Sequence, residues 1–377
     1  MIYFDNSATT QIHPEVIDAM KPYLVESFGN PSGKYYTLAE HAKVAVEKAR
    51  EQIGKLFNCS PDEVVFTSGS TESNNLVLKG LADLHWGKPK RLITTSVEHP
   101  SILETAKYLQ GKGVPVHFLS VDENGTIRLS ELAAILEEYG DDVFLVSVVW
   151  GNNEIGTLND LEEIAELCAK FKVLLHSDAT QVAGKLPIDL QTTNIHFLSA
   201  SAHKFHGPKG IGVCIIKKDE MGIRRKLTPL LHGGGQEFGY RSGTLAVHNI
   251  VGAGVAAEIA RRDLQTIRQH LIQLEEYCKK RLLETFPHIV QFTVGDVKKI
   301  PGLLSVRFRG VNNELLIKKL AKHVAISTGS ACSSSKPSHV LQQIGLSLDE
   351  VRSTVRLSFS RFNSFKQIDE FIALLNS

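Results

Sequence analysis

Between residues 60 and 220 the chain carries seven short runs of apolar and β-branched residues, at 63–67, 91–96, 116–119, 143–149, 173–176, 195–199 and 212–216. Amphipathic stretches separate them. In 161–170 the residues Leu161, Ile164, Ala165 and Cys168 share one helical face, and from about residue 74 Leu76, Val77, Leu81 and Leu84 form another stripe. Short buried strands alternating with helices predict an α/β fold, with a mostly parallel seven-stranded sheet covered on both faces. After Lys226 the texture changes. The glycine-rich His232-Gly233-Gly234-Gly235 leads through Arg241-Ser242-Gly243-Thr244 into one long helical stretch, ending near residue 284, whose charges predict a solvated face. Beyond it, strands at 303–309, 324–327 and 355–359 alternate with helices at 313–322, 338–344 and 367–375, predicting a compact α+β second domain. The expected division is a large domain over 13–260 and a small one built from 1–12 and 261–377.

Composition narrows the class. A length of 377 residues with 42% hydrophobic and 22% charged residues is that of a globular protein of two or three domains. Lys plus Arg number 42 and Asp plus Glu 41, so the net charge of +1 gives no field to draw in a polyanion. Neither nucleic acid nor a membrane is expected as a direct partner. The N-terminal residues have no basic or apolar leader pattern, which predicts a cytoplasmic location. Five scattered cysteines (Cys59, Cys168, Cys214, Cys278, Cys332), without a C-x-x-C pair, predict neither a disulfide framework nor a metal site.

In an open doubly wound sheet the ligand lies beyond the carboxyl ends of the strands, so polar residues there are the candidates. The first run leads into Ser68-Gly69-Ser70-Thr71-Glu72-Ser73 and a helix. A glycine turn followed by the free N–H groups of a helix start makes a phosphate cup, with simple capping as the competing account. The second run ends at Glu98-His99-Pro100, where a lone histidine decides nothing by itself. The fourth ends in Gly151-Asn152-Asn153-Glu154, residues equally suited to a turn. Asp178 closes the fifth, where a carboxylate needs a cationic or protonated partner, and Gln181 lies one turn on. The sixth leads through Ser201 and His203 to Lys204, hemmed in before Gly207-Pro208-Lys209-Gly210. A desolvated lysine there has a lowered amine pKa and is a Schiff-base candidate. Cup, flat ring, carboxylate for a pyridinium N–H and lysine together describe pyridoxal 5′-phosphate (PLP).

Two other motifs are set aside. Gly252-Ala253-Gly254 fits part of a dinucleotide fingerprint but lies within a helical stretch, where packing glycines are the better account. His232-Gly233-Gly234-Gly235 has no accompanying G-x-S-x-G elbow.

At this point the chain resembles the NifS/IscS-like cysteine desulfurases, within the class V aminotransferase superfamily of PLP fold-type I. The resemblance runs over nearly the whole chain, through Asp5-Asn6-Ser7-Ala8-Thr9-Thr10, Phe66-Thr67-Ser68-Gly69, Glu98-His99, Asn152-Asn153-Glu154-Ile155-Gly156, Asp178-Ala179-Thr180-Gln181, Gly184-Lys185-Leu186-Pro187-Ile188-Asp189, His203-Lys204, Arg241-Ser242-Gly243-Thr244 and Gly329-Ser330-Ala331-Cys332. It implies conversion of L-cysteine to L-alanine, with the sulfur passing to Cys332 as a persulfide. Lys204 would carry the cofactor, Asp178 hold its pyridinium, Gln181 its phenolic oxygen, and His99 stack on the ring and help move protons. Ser70, Thr71, Ser201 and His203 would bind the phosphate, with Thr244 reaching in from the second subunit of a homodimer. Asn153 and Arg356 would hold the substrate carboxylate. Cys332 sits among Ser330, Ala331, Ser333, Ser334 and Ser335, a small-residue stretch expected to leave the thiol exposed.

The stretch between Cys332 and Pro337 is shorter than in the housekeeping members, and their longer C-terminal tail is missing. The acceptor is therefore open between an iron–sulfur scaffold and a sulfurtransferase of tRNA, thiamine or DNA modification. Trp150-Gly151 stands where those members tend to have a histidine, altering the expected pocket rim. The competing readings are a selenocysteine lyase, a class V aminotransferase with no need of Cys332, and a non-enzymatic sulfur-relay adaptor.

Overall fold

The computed structural model describes residues 1–329 and 337–376. Its strands are β1 (Ile2–Tyr3), β2 (Val64–Thr67), β3 (Arg91–Thr95), β4 (Val116–Leu119), β5 (Val143–Val149) and β6 (Leu175–Asp178). They continue with β7 (Phe197–Ser201), β8 (Gly212–Ile216), β9 (Val290–Phe292), β10 (Leu303–Phe308), β11 (Val324–Ala325) and β12 (Thr354–Ser358). Seven of them form one sheet in the order β2-β8-β7-β6-β5-β3-β4. Only β8 runs against its neighbours, and two reversals return the carboxyl end of β2 to the same edge as that of β7. Strands β6 and β7 begin two residues later than the apolar runs predict. Val173 and Ile195 are buried in the core before the chain enters the ladder, so their side chains mimic strand residues without pairing as such.

Helices α1 (Pro14–Val25), α2 (Thr37–Phe57), α3 (Ser70–Leu84), α4 (Pro100–Gly111), α5 (Leu129–Tyr139), α6 (Leu161–Lys170) and α7 (Val247–Arg262) cover the sheet. Strand β5 divides the load: from Leu145 on it alternates, Val146 and Val148 entering the core with α2, α5, α6 and α7 and Leu145 the core with α3 and α4, while a register shift against β3 at Phe144 turns that ring to the same side as Leu145. The long helical stretch expected after residue 244 is two helices, α7 and α8 (Leu264–Thr285), which meet at Asp263. Most of α7 is buried against α1 and α2, not solvated. Gly252 and Gly254 explain the closeness: a Cβ on Gly252 would lie 2.7 Å from Met20 Sδ, and one on Gly254 2.6 Å from Ala49 Cα. These are packing glycines.

The remaining helices are α9 (Asn313–Leu320), α10 (His339–Gln343), α11 (Leu348–Val351) and α12 (Phe365–Asn376). A three-stranded antiparallel sheet, β12-β10-β9, packs on α8 and α12 around a second core. The chain start belongs to that core. β1 pairs in parallel with β11, and the Phe4 ring lies edge-on to Phe359 at 4.9 Å and to Phe371 at 5.7 Å. Residues 6–10 then cross to the main sheet, where the Thr10 N–H donates to His203 O at 2.9 Å. Both cores therefore contribute walls to the cleft between them.

Candidate active site

The winding of the main sheet reverses between β3 and β5: the chain moves outward from β3 to β4, then returns across β3 to β5 and on to β6 and β7. The strand ends diverge there and leave a crevice. A cleft of about 1070 Å³ opens at this edge, lined by Ser70, Thr71, His99, Asn153, Asp178, Gln181, His203, Lys204 and Arg356 among others.

Asp178 is buried at the end of β6. Its Oδ2 accepts from Asn74 Nδ2 at 2.8 Å and its Oδ1 from the Thr180 N–H at 3.0 Å, so the carboxylate is fixed by neutral donors and no protein cation pairs with it among the described residues. Asn74 Nδ2 also donates to Ser101 Oγ at 2.9 Å, and Ser101 Oγ stands 2.8 Å from His99 Nδ1. The Ser101 N–H donates to the same ring nitrogen at 3.1 Å. His99 Nδ1 is thus an acceptor, and the ring proton of the neutral form sits on Nε2. Burial lowers the His99 pKa; Lys204 and His339 push the same way, against Asp178.

Lys204 follows β7 and is half-buried. Its Nζ donates to the carbonyls of Ser7 and Ala8, 2.8 Å from the latter, so the N-terminal segment crossing from the small core supplies two of its contacts. Gln181 Nε2 donates to the same Ser7 carbonyl at 2.9 Å. His203 Nδ1 lies 3.1 Å from Thr9 Oγ1, and burial, with Lys204 and Lys209 nearby, drives its pKa down to about 4, so the ring is neutral. Arg356, on β12, is 1% exposed. Its Nη2 bonds Asp5 Oδ1 at 2.7 Å, and its Nη1 bonds Asn153 O at 2.8 Å and Gly329 O at 3.1 Å. It ties the second core to the β5 turn at the cleft wall.

The turn expected to hold a phosphate is a close approach of backbone. A Cβ on Gly212 would lie 2.5 Å from Gly69 Cα, so a glycine in β8 lets the turn before α3 drop against the sheet. Ser201 ends β7 beneath that turn, with its Oγ 3.5 Å from where a Gly69 Cβ would stand. Of the residues anticipated from sequence, Thr244 is exposed and lies apart from this chain's cleft, and Cys332 lies outside the described residues. Gly151 lines the cleft, whereas Trp150 packs on the large core and is not part of the rim.

Several residues of the site had not been anticipated. Asn74 lies one turn into α3 and carried no motif signal of its own. Glu98 is fully buried: its Oε1 accepts from Thr95 Oγ1 at 2.8 Å and the Val149 N–H at 2.7 Å, and burial pushes its pKa up to about 8. Glu154 accepts from Ser338 Oγ, and burial raises its pKa too. The His339 Nε2–H donates to Glu98 O at 3.1 Å.

The cleft fits PLP. Ser96 Oγ and Thr180 Oγ1 are buried on its wall with no hydrogen-bond partner among the described residues, so a polar ligand is called for. A fixed carboxylate, a glycine turn at a helix start and a lysine amine are groups whose chemistry suits the ring nitrogen, phosphate and aldehyde of that cofactor. Sheet and cleft define an α/β enzyme of PLP fold-type I. The model of the aminotransferase class-V family matches residues 2–371, and the chain belongs to that PLP-dependent family. It is 41% identical over 379 residues to the cysteine desulfurase IscS of Neisseria meningitidis serogroup A, covering 100% of this chain and 91% of that protein. A solved NifS-like protein matches with a TM-score of 0.91 at 35% identity, over 99% of this chain and 97% of its own. The structure of SspA in complex with cysteine matches with 0.81 at 34%, over 97% and 100%.

Proposed function

We propose that the chain is a PLP-dependent cysteine desulfurase, converting L-cysteine to L-alanine and taking the sulfur onto Cys332. The observation that carries this reading is the convergence of Lys204, Asp178, Gln181, His99 and His203 on one cleft, in a chain whose full-length relatives bear the name of that activity.

PLP, when bound, supplies an electron sink for charge developed at the amino acid's Cα. Lys204 Nζ anchors it and carries the Cα proton. Asp178, held in place by donors from Asn74 and Thr180, would face the pyridinium N–H. Gln181 would donate to the phenolic oxygen, and His99, which lines the same cleft, would stack on the ring. Ser70, Thr71, Ser201 and neutral His203 take the phosphate, completed by Thr244 of a second subunit. Asn153 and Arg356 orient the substrate carboxylate. Burial raises the pKa of Cys59, Cys168, Cys214 and Cys278 and keeps all four as thiols, which favours Cys332 as the thiolate that attacks the substrate sulfur.

The finer assignments are a large domain over 13–260, a small domain from 1–12 and 261–377, and a cytoplasmic homodimer. Exposure of the large side chains of Phe28, Tyr35 and Tyr36, together with Thr244, supports the dimer. No helix among the described residues is long and apolar enough to cross a membrane. The sulfur goes on to an acceptor protein, an iron–sulfur scaffold or a sulfurtransferase of tRNA, thiamine or DNA modification.

The test is alanine release from L-cysteine with a thiol reductant, with wild type beside Cys332→Ser and absorption spectra of both. Alanine from wild type alone, with PLP bound to both proteins, is expected. Equal release from both removes Cys332 from the reaction, and release from neither removes the desulfurase reading.

A further inference from the structure

Behind the cleft lies a second lysine that the reaction outlined above does not use. Lys185 is buried four residues beyond Gln181, in the turn that follows β6. It lines a separate cavity of about 20 Å³, with Thr10, Gly184, Lys204, Phe205, His206 and Ala260 among its walls, room for a single water. Burying an amine there is costly, and its neighbours add to the cost. Lys204 and His206 face it from the turn after β7 and Arg356 from β12, and His13 and Arg361 line the same cavity. Burial and the charges of Lys204 and Arg356 lower the Lys185 pKa to about 7.

One contact accounts for its presence. Lys185 Nζ reaches Gln181 Oε1 at 3.4 Å, its only side-chain hydrogen bond among the described residues. On the other side of the same amide, Gln181 Nε2 donates to Ser7 O. A carbonyl only accepts, which sets the NH₂ group toward Ser7, and Lys185 Nζ, a donor whether charged or neutral, suits the oxygen that this flip turns toward it. The oxygen points back to Lys185 and the NH₂ group points to Ser7. Ser7 and Gln181 both line the cleft, and the second amide hydrogen is left for a ligand there.

We propose that Lys185 is a positioning residue for the cofactor: its Nζ, donating to Gln181 Oε1, holds the amide in the flip that offers an N–H to the phenolic oxygen of PLP. The inference rests on the PLP reading of the cleft.

The test combines PLP binding to the apoprotein with a pH titration of the visible band, for wild type, Lys185→Met, Gln181→Ala and the double variant. Loss of one well-placed hydrogen bond predicts roughly fivefold weaker PLP binding by Lys185→Met. The pH midpoint of the band rises, because both a donor to the phenolate and a nearby positive charge are lost. In the Gln181→Ala background the Lys185→Met change adds nothing to the loss of affinity, a coupling that a general packing role does not produce. Lys185→Gln, which keeps a donor without the charge, retains more affinity than Lys185→Met and remains usable if the latter does not fold. Wild-type affinity and midpoint in Lys185→Met, or additive losses in the double variant, overturn the inference and leave the PLP reading intact. Absence of PLP binding by wild type itself overturns both.

Discussion

Asn74 bridges Asp178 and Ser101, donating from one amide nitrogen to the carboxylate at 2.8 Å and to the hydroxyl at 2.9 Å. Through Ser101 the same side chain reaches His99, so the two groups proposed to meet opposite parts of the cofactor ring are set by one residue of α3. Asn74→Leu removes both donors and leaves a buried carboxylate with one protein hydrogen bond. A hydrogen bond to a charged group is worth about 1.5–3 kcal/mol, so PLP affinity falls on the order of tenfold or more. Equilibrium binding to the apoprotein checks it, and unchanged affinity would mean that Asp178 is held by the Thr180 N–H alone.

Gly212 is where β8 admits the phosphate turn. In Gly212→Ala the new methyl meets Gly69 Cα at 2.5 Å and Ala200 O at 2.7 Å, both backbone atoms that cannot swing away. Overpacking of this kind costs roughly 1–3 kcal/mol. The turn must lift, and PLP binding weakens on the order of tenfold while the secondary structure by circular dichroism is retained. Wild-type binding would show that the turn tolerates the shift.

Glu98 gives stability a pH dependence. Burial raises its folded pKa to about 8 from an ordinary 4.5, so between those values the folded form keeps a proton that the unfolded form has released. The stability it contributes is complete below about pH 4.5 and declines as the pH rises through about 8. Glu98→Gln mimics the protonated form, so its melting temperature falls less steeply than that of wild type from about pH 5 to 8. Parallel melting curves across that range would refute the protonated assignment.

The loop carrying Thr244 depends on a buried ion pair. Arg50 Nη1 and Nη2 meet the two oxygens of Glu237 at 2.9 and 2.8 Å, and the Phe66 N–H donates to Glu237 Oε2 at 2.7 Å. Both side chains are almost fully buried. Removing one member strands the other, and Glu237→Leu destabilises the protein by about 3–5 kcal/mol, read as a lower urea midpoint of the apoprotein. A loss below about 1 kcal/mol would place the pair among those that solvent can replace.

The sheet was legible because its strands are buried on both faces and read as apolar runs. The helices α1 and α2 were not. The buried face of α2 includes Ala39, Ala42, Ala45 and Ala49, small residues that let α7 come close, with Gly254 lying against Ala49, and alanines mark a helical face less clearly than large apolar residues do. The same contact explains why α7 is buried although it lies in a stretch rich in charge.

In the site, Asp178, His99, Lys204 and the Gly69 turn were legible because each sits within a few residues of a strand end, and strand ends define the cleft. The sheet, the residues delivered to its edge and the family can all be read along the chain. The partners that hold those residues come from the packing of distant elements: Asn74 for Asp178, the carbonyls of Ser7 and Ala8 for Lys204, Lys185 for Gln181 and Asp5 for Arg356. A strand end follows from local hydrophobic pattern. A hydrogen bond between elements that are distant along the chain follows from how two cores pack, and backbone carbonyls, which supply two of the Lys204 contacts, carry no residue identity to be read.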